Sequence, residues 1–270
     1  MGDTSVVPKI VLLLGLMAIL AIAETWIPLR DFGQPRAQRW RPNLALTLVF
    51  LLMNLLLTAG VLGLALWMER RQLGPLHWLG LPAPVAFVLG IVLLDGFAYL
   101  AHMLMHRVPW LWRVHRVHHS DAAVDVTTTF RQHPLETLLR FAFTALPAVL
   151  LGVSPAATAA YRLMSGVNAL FEHANLRVAA PLDRGLRWLL VTPHMHKVHH
   201  SRRQAETDSN YGNILSAFDR VFGTYTPTER AAAVRYGLDE FGDEGVQSFT
   251  ALVQLPWTQQ PEPDRQSRFT

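Results

Sequence analysis

The sequence predicts an all-α fold, a multi-spanning bundle of membrane helices, and three observations lead to this prediction. The 270-residue chain is 51% hydrophobic and only 16% charged, whereas an ordinary soluble domain carries about 25% charged residues. Several segments are apolar over a length that can cross a bilayer. Eleven of the twelve histidines lie between residues 102 and 200, next to these segments. This composition excludes a disordered chain and disfavours a soluble globular one.

Charge and cysteine content narrow the kinds of partner and site. The net charge is +4, and arginine supplies 22 of the 24 basic residues. A basic, apolar chain without a nucleic-acid-binding motif is expected to contact membrane lipids and no nucleic acid. Because the chain has no cysteine, disulfides, thiolate ligands, iron–sulfur clusters and cysteine nucleophiles are excluded.

The two clearest apolar segments predict two membrane spans. Residues 44–67 are 24 residues without a charge, which gives about 36 Å of helix, enough to cross a hydrocarbon core of roughly 30 Å. The alternative for so long a segment is a buried helix of a soluble protein. Residues 82–104 form another span, in which Asp95 is the only aspartate, glutamate, lysine or arginine.

The first predicted span, residues 9–29, has an alternative interpretation as a cleaved signal peptide. Its wholly apolar part is short, and Ala21-Ile22-Ala23 fits a small-x-small cleavage site. However, Asp3 opposes Lys9 in the preceding segment, and apolar residues continue beyond Glu24. We therefore expect a first membrane helix.

Residues 135–152 and 155–172 are predicted to form a helical hairpin. A Gly-Val-Ser-Pro turn separates these two apolar segments, and Arg140 and Arg162 lie inside them. Placing charged side chains inside a bilayer is costly, so the two arginines make full insertion less favourable. The hairpin is therefore either fully spanning or only partly inserted.

Arginines in the loops predict the orientation of the bundle. Residues 30–41 hold four arginines against Asp31, whereas residues 69–81 hold two arginines against Glu69. The more positive loop is expected on the cytoplasmic side. Counting spans from there predicts a multi-pass membrane protein whose clustered histidines lie in a helical cap on the cytoplasmic face.

The clustered histidines recur at helical spacing. One pair has the pattern H-x3-H, two triplets have the pattern H-x2-H-H, and His173 ends the predicted hairpin. Residues three or four apart share a helix face, so their imidazoles can reach one site. The nine predicted metal ligands are His102, His106, His115, His118, His119, His173, His196, His199 and His200. The alternative, a set of surface histidines, would leave imidazoles beside hydrocarbon without compensating partners.

Nine imidazole ligands exceed what one metal ion takes. A tetrahedral zinc ion uses at most four, so the count predicts a dinuclear site whose ions each keep an open position. Imidazole suits Fe, Zn, Cu or Ni, whereas Mg and Ca prefer oxygen ligands. The H-E-x-x-H pattern of zinc proteases does not occur in the sequence.

Longer motifs surround these histidines. They are Asp95-x3-Tyr99-x2-His102-x3-His106, His115-x2-His118-His119-Ser120, Arg131-x-His133-Pro134-Leu135-Glu136, Phe171-x-His173-x-Asn175, Thr192-Pro193-x2-His196-x2-His199-His200-Ser201, Asn210-Tyr211-Gly212 and the run from Asp219 to Tyr225. In these motifs the chain resembles the fatty acid hydroxylase superfamily, also called the sterol desaturase family, from roughly residue 24 to 225.

This resemblance implies an integral membrane enzyme with two iron ions and no haem. Such an enzyme uses O2 to hydroxylate or desaturate a C–H bond of a lipid-like substrate that enters from the bilayer. A separate electron-donor protein is also expected, because no haem-binding segment like that of cytochrome b5 is visible in the sequence.

The resemblance also divides the chain and suggests two more ligands. Residues 1–230 are assigned to one membrane domain and residues 231–270 to a partly disordered tail. Some family branches carry a further H-x3-H before the last motif, where this chain has only His173. His133 and His194 are therefore further candidate ligands, although His133 alternatively caps the helix that follows it.

Three polar residues are candidates for orienting the ligands. Asp95 precedes His102 by two helical turns, so it is either a partner of a ligand imidazole or an ion-pair partner of Arg162. Asn175 and Asp208 are the other two candidates, and each is alternatively an ordinary helix-end or turn residue.

Other residues near the histidines are expected at the surface. Glu172 adjoins His173 but points about 100° away from it on a helix. A set of tryptophans is expected in the interfacial belt: Trp110, Trp112 and Trp188. A set of arginines is expected to meet lipid head groups or an acidic electron carrier: Arg107, Arg113, Arg116, Arg202 and Arg203.

Two other function classes compete with the enzyme. A metal transporter or sensor would distribute its ligands along a path through the bilayer, whereas these histidines cluster at the ends of spans. A family member that has lost catalysis would bind lipid without oxidising it. The sequence leaves the substrate, the choice between hydroxylation and desaturation, and the oligomeric state open.

Overall fold

A computed structural model describes residues 7–33, 36–242, 245–246 and 248–258. The α-helices are α1 (Val7–Trp26), α2 (Arg36–Arg70), α3 (Pro75–Trp78), α4 (Ala83–Arg107), α5 (Pro109–His119), α6 (Pro134–Leu151), α7 (Pro155–His173), α8 (Ala180–Leu186), α9 (Pro193–His199), α10 (Gln204–Thr207), α11 (Ala217–Val221) and α12 (Phe249–Gln254). Short 3-10 helices occupy Val126–Phe130, Ala231–Ala233, Asp239–Phe241 and Leu255–Trp257. Within these residues, extended pairing is limited to two isolated bridges, so the predicted all-α class is confirmed.

Four of the described helices are long and apolar enough to cross a membrane: α1, α2, α4 and α6. They confirm the predicted multi-spanning bundle as the fold. The helix α2 starts well before the predicted segment 44–67. Its first turns extend towards the histidines, where Arg39 binds Asp125 and Asn43 binds Asp121. The second hairpin helix, α7, is not among the four.

Two contacts place the connections between long helices at opposite ends of the bundle. At one end, which we call the cap end, the Leu29 N–H donates to the Asn175 carbonyl oxygen at 3.0 Å. At the other end, Gly74 lies against Gly152, which ends α6 in a left-handed conformation. A Cβ atom on Gly74 would lie 2.6 Å from the Gly152 Cα atom, so this approach requires glycine.

The helix α1 is bound to the rest of the fold through a buried carboxylate. Glu24 is 1% exposed, and its Oε1 accepts hydrogen bonds from the N–H groups of Val126 and Asn175, both at 2.8 Å. Further along the helix, Met17 is buried in a cluster with Leu170 of α7. Residues 7–26 thus pack into the same core as the histidines. This is what the interpretation of this segment as a first membrane helix requires.

The segment after residue 230 packs against the cap end. Leu252 and Leu255 are buried in one cluster with Leu46 of α2 and Val117 of α5. Residues 248–258 of the predicted tail are therefore packed, because these leucines find apolar partners that only the tertiary fold provides. Residues 243–244, 247 and 259–270 of the predicted tail lie outside the described residues.

Candidate metal centre

Four helices bring the nine predicted ligands together at the cap end. They are His102 and His106 of α4, His115, His118 and His119 of α5, His173 of α7, and His196 and His199 of α9 with its C-cap His200. Pro109 and Pro193 occupy the first positions of α5 and α9, where the missing N–H of proline costs no hydrogen bond.

The nine histidines form two groups. The five-histidine group consists of His102, His106, His115, His119 and His199, and the four-histidine group consists of His118, His173, His196 and His200. Within each group, one ligand nitrogen of every residue lies within 4.8 Å of all the others. Each H-x2-H-H motif is therefore divided, because its first and last histidines enter one group and its middle histidine enters the other.

The Nε2 atoms of the four-histidine group meet at one point. The distances are 3.0 Å from His173 to His118, 2.9 Å from His173 to His196, and 3.1 Å from His196 to His200. The Nε2 atoms of His173 and His196 each lie this close to two others, and a single ring nitrogen cannot hydrogen-bond to both. The four nitrogens therefore suit a common cation better than mutual hydrogen bonds.

The Nε2 atoms of the five-histidine group lack hydrogen-bond partners. All five are buried, and none of the described residues offers them a donor or an acceptor. Burying an unpaired polar atom costs free energy, so five such atoms directed at one point fit a metal ion.

Carbonyl groups on the opposite side of three rings determine which nitrogen is free. Nδ1 of His102 lies 3.0 Å from the Tyr211 carbonyl oxygen, and Nδ1 of His199 lies 2.7 Å from the Ser209 carbonyl oxygen. Nδ1 of His173 lies 2.8 Å from the carbonyl oxygen of Ala169. Because a carbonyl oxygen only accepts, each Nδ1 must carry the proton, which leaves the Nε2 lone pair for a metal.

Burial keeps the ligands of the cap neutral. It lowers the pKa well below the usual 6.5, with neighbouring imidazoles adding to the effect, for His115, His118, His119, His196, His199 and His200. A neutral imidazole is the form that binds metal. Imidazole nitrogens suit metal ions such as iron or zinc.

Two buried glutamates accompany the groups, and neither was predicted to contact a ligand histidine. The Glu136 Oε1 atom lies 2.8 Å from Nδ1 of His115, and both side chains are fully buried. Glu172 was expected at the surface, and this was wrong: it is 4% exposed, and its Oε1 lies 3.8 Å and 3.9 Å from Nδ1 of His173 and His196. The hairpin helix folds onto α9 and encloses Glu172, although it points away from His173 along its own helix.

The three predicted orienting residues differ in their positions. Asp208 lies beside the five-histidine group, with Oδ1 3.4 Å from Nδ1 of His106. Asn175 lies away from the imidazoles, and its side chain bonds both the N–H and the carbonyl oxygen of Arg30.

Asp95 contacts neither a ligand imidazole nor Arg162, so both predicted pairings are wrong. Its carboxylate accepts from the Asn213 side chain and from the N–H groups of Ile214 and Leu215, at 2.8–3.1 Å. These three donors surround the carboxylate, and Arg162 instead binds α2.

The two further candidate ligands lie outside both groups. Nδ1 of His133 accepts from the N–H of Leu135, which makes it the predicted helix cap, and its Nε2 lies 3.2 Å from the Val253 carbonyl oxygen. His194 points away from its neighbour His196 and lies 3.3 Å from Asp183.

Two residues expected at the membrane surface are in fact packed inside the cap. Trp112 lies against the rings of His106 and His119, at centroid distances of 5.1 Å and 5.4 Å. Arg116 is 1% exposed and donates to Glu240 and to the Leu255 carbonyl oxygen. Trp110 and Trp188 are exposed, as expected.

A cavity of about 180 Å³ opens beside the histidines. Ligands from both groups line it: His102, His118, His173 and His196. Much of its remaining wall is apolar and includes Leu13, Phe50, Leu51, Ala98, Phe130 and Phe141. A small apolar group held in this cavity would lie next to both groups.

Comparison with known proteins decides the family. The sequence profile of fatty acid hydroxylases matches residues 87–224, slightly more than half of the chain. The chain belongs to the fatty acid hydroxylase family. The matched part begins within α4, ends after the last of the clustered histidines, and contains all nine predicted ligands.

Several relatives of this fatty acid hydroxylase family member are known. It is 34% identical to the ornithine lipid hydroxylase OlsE of Rhizobium tropici over 158 residues, which cover 57% of this chain and 46% of that protein. It is 32% identical to the alkylglycerol monooxygenase of Xenopus tropicalis over 141 residues, 52% of this chain and 30% of the relative. It is 31% identical to a cholesterol 25-hydroxylase-like protein of Danio rerio over 167 residues, 56% of this chain and 64% of the relative.

These alignments are partial. The chain spans less than half the length of the first two relatives. No solved structure is significantly similar to it.

Proposed function

We propose that the protein is a membrane-bound, O2-dependent oxidoreductase that uses two iron ions to hydroxylate a C–H bond of a lipid-like substrate. The observation that carries the proposal is the convergence of nine buried imidazoles in two adjacent groups beside one cavity. The activities in the relatives' names, hydroxylation and monooxygenation, favour hydroxylation over desaturation.

Each histidine group would hold one iron ion. When bound, the iron pair supplies the oxidative chemistry, for which the protein provides binding and orientation. The overall reaction converts R–H, O2, two electrons and two protons into R–OH and H2O. The electrons would come from a separate donor protein.

The chain's own residues would position the ligands and the substrate. Glu136 holds the His115 ring by its Nδ1 atom, and carbonyl groups hold His102 and His199 in the same way. Such partners fix the ring orientation and raise the basicity of the ligand nitrogen. The apolar part of the cavity would exclude water and hold the C–H bond against the two groups.

We also propose that the cap end faces the cytoplasm and that the substrate enters from the bilayer. The arginine-rich segment 30–41 connects α1 to α2 at the cap end, as the distribution of positive charge in membrane proteins favours for the cytoplasmic side. Helices α1, α2, α6 and α7 contribute to the cavity wall, which supports entry of lipid between them.

Both rival functions have less support. A transporter or sensor needs sites along a path, whereas the described ligands form two closed groups at one end of the bundle. A family member without catalysis has no use for a complete set of nine buried ligands.

The test compares two histidines of one short helix. His196→Ala removes a member of the four-histidine group, whereas His194→Ala removes a residue that pairs with Asp183 and serves as the matched control. We expect two irons per wild-type chain by elemental analysis, loss of iron and turnover in His196→Ala, and retention of both in His194→Ala. Lipid mass spectrometry of expressing cells should show products heavier by one oxygen atom. Zinc in place of iron, or full activity of His196→Ala, would contradict the proposal.

A further inference from the structure

Two arginines line the same cavity as the histidines. Arg140 of α6 and Arg162 of α7 both contribute to its wall, and Lys9 of α1 contributes a third cationic side chain. Charged residues within apolar helices are costly, and they usually mark a pathway or a ligand site. Buried charges of this kind need partners that neutralise them.

Arg162 is held by neutral partners. Its Nε donates to the Thr58 hydroxyl at 2.9 Å, and its Nη2 donates to the Asn54 side-chain oxygen at 2.6 Å. Its Cζ lies 4.8 Å from the centre of the Phe141 ring. No carboxylate of the described residues pairs with this guanidinium. These contacts fix the position of Arg162 without balancing its charge.

The carboxylate nearest to Arg140 is already engaged elsewhere. The Arg140 Nη1 atom lies 3.9 Å from Oε1 of Glu136, and the same oxygen lies 2.8 Å from Nδ1 of His115. The side chain of Arg140 is 24% exposed, so its guanidinium has an accessible surface.

One acidic residue also lines the cavity, at the histidine end. Glu172 lies beside His173 and His196 and accepts a hydrogen bond from Asn168 at 3.0 Å. It lies ten residues beyond Arg162 on α7, about 15 Å along the helix axis. Arg162 is therefore separated from Glu172 along the cavity, whereas Arg140 lies nearer the histidines, beside Glu136. The part of the cavity near Arg162 keeps a positive excess.

We propose that Arg140 and Arg162 bind the anionic group, a carboxylate or a phosphate monoester, of an amphiphilic ligand that occupies this cavity. The inference rests on the proposed function, because the same cavity would hold the substrate. Arginine binds both anions through two parallel hydrogen bonds, and an anion there would neutralise guanidiniums that are otherwise surrounded by apolar and neutral groups. The apolar chain of the ligand then lies along the cavity towards His173 and His196.

The geometry also limits where the ligand would be oxidised. Arg162 precedes His173 by eleven residues on α7, about 16 Å along the helix axis. Arg140 follows Glu136 by one turn. A ligand anchored at these arginines presents to the histidines a C–H bond within about 16 Å of its anionic group.

The test measures binding and needs no turnover. Purified protein in dodecyl maltoside is loaded with cis-parinaric acid, a fluorescent fatty acid, which is then displaced by dodecanoate, dodecyl phosphate, dodecan-1-ol or inorganic phosphate. We expect the two anionic amphiphiles to displace the probe at concentrations about 10–100-fold lower than dodecan-1-ol. Inorganic phosphate alone should not displace it, since it lacks the apolar chain.

Three variants and an iron measurement make the result specific. Arg162→Gln and Arg140→Gln should each reduce the preference for the anionic amphiphiles, whereas the exposed Arg184→Gln is the control and should retain it. Arg162→Lys should restore part of the preference, since it keeps the charge and loses the paired hydrogen bonds. Equal displacement by dodecanoate and dodecan-1-ol, or an unchanged preference in both glutamine variants, would overturn the inference. Because iron is quantified on the same samples, a protein that prefers anions but holds no iron would contradict the proposed function and support the anion site.

Discussion

At the scale of the residue, the position of each predicted ligand histidine depends on both of its ring nitrogens. Nε2 points to the centre of a group, and Nδ1 of several rings faces a fixed acceptor on the outside. Most of these acceptors are backbone carbonyls, but His115 has the Glu136 carboxylate. A carboxylate pulls the Nδ1 proton more strongly than a carbonyl does, so it makes the opposite nitrogen a better ligand.

A substitution of Glu136 tests this role. Glu136→Gln keeps an acceptor oxygen near His115 but removes the charge, so iron affinity and turnover should fall by roughly 10–100-fold. Iron retention is measured during titration with a chelator, and the exposed Glu229→Gln is the control. Retention equal to the wild type would show that the Glu136 carboxylate does not act on the ligand.

At the scale of the element, α4 supports the site through a loop as well as through its own histidines. Asp95 binds the backbone N–H groups of Ile214 and Leu215. The same loop contains Tyr211, whose carbonyl oxygen faces Nδ1 of His102. Thus α4 anchors the loop whose carbonyl group faces His102, one of its own predicted ligands.

Asp95→Asn tests this anchoring. An amide can accept through one oxygen only, so at least one buried N–H group loses its acceptor, at a cost of about 1–3 kcal/mol. We expect a lower melting temperature in detergent, near-normal iron content in the protein that remains folded, and no rescue by Arg162→Leu, because Arg162 binds Thr58 and Asn54 instead. Asp239→Asn, whose side chain is 85% exposed, is the control. Rescue by Arg162→Leu would show that the two side chains are coupled after all.

At the scale of the whole molecule, the bundle has two unlike ends. The cap end contains the histidines and the loop that follows α1, whereas the opposite end contains Gly74 and Gly152. The arginine-rich segment 30–41 belongs to the cap end, so the positive-inside rule makes a definite prediction about orientation.

Reporter fusions test this orientation. A reporter fused after Thr270 should be cytoplasmic. A reporter inserted in the loop that contains Leu76, directly after the exposed Gly80, should be on the other side of the membrane. The expected difference follows from the excess of arginine in one loop. If both reporters lie on one side of the membrane, the number of spans is wrong.

The sequence was sufficient for the class of fold and for the chemistry of the donors. Long segments without charge can be stable only where water is excluded, so they predict helices such as α2 and α4 before any contact is known. The absence of cysteine and the helical spacing of histidines likewise predict a site of imidazoles. Glu172 and Arg116 were wrongly expected at the surface, and both are charged. A charged residue is expected to be exposed unless its buried partner is known, and the sequence does not show that partner.

The sequence by itself therefore determined how many imidazoles this protein offers, and only the tertiary structure decided how they are shared. His118 and His119 are neighbours in the chain but belong to different groups, and so are His199 and His200. Neighbouring residues on a helix point about 100° apart, so each motif faces two directions at once. Which direction leads to which group depends on how α5 and α9 pack against α4 and α7, and that packing is fixed by contacts between residues far apart in the sequence.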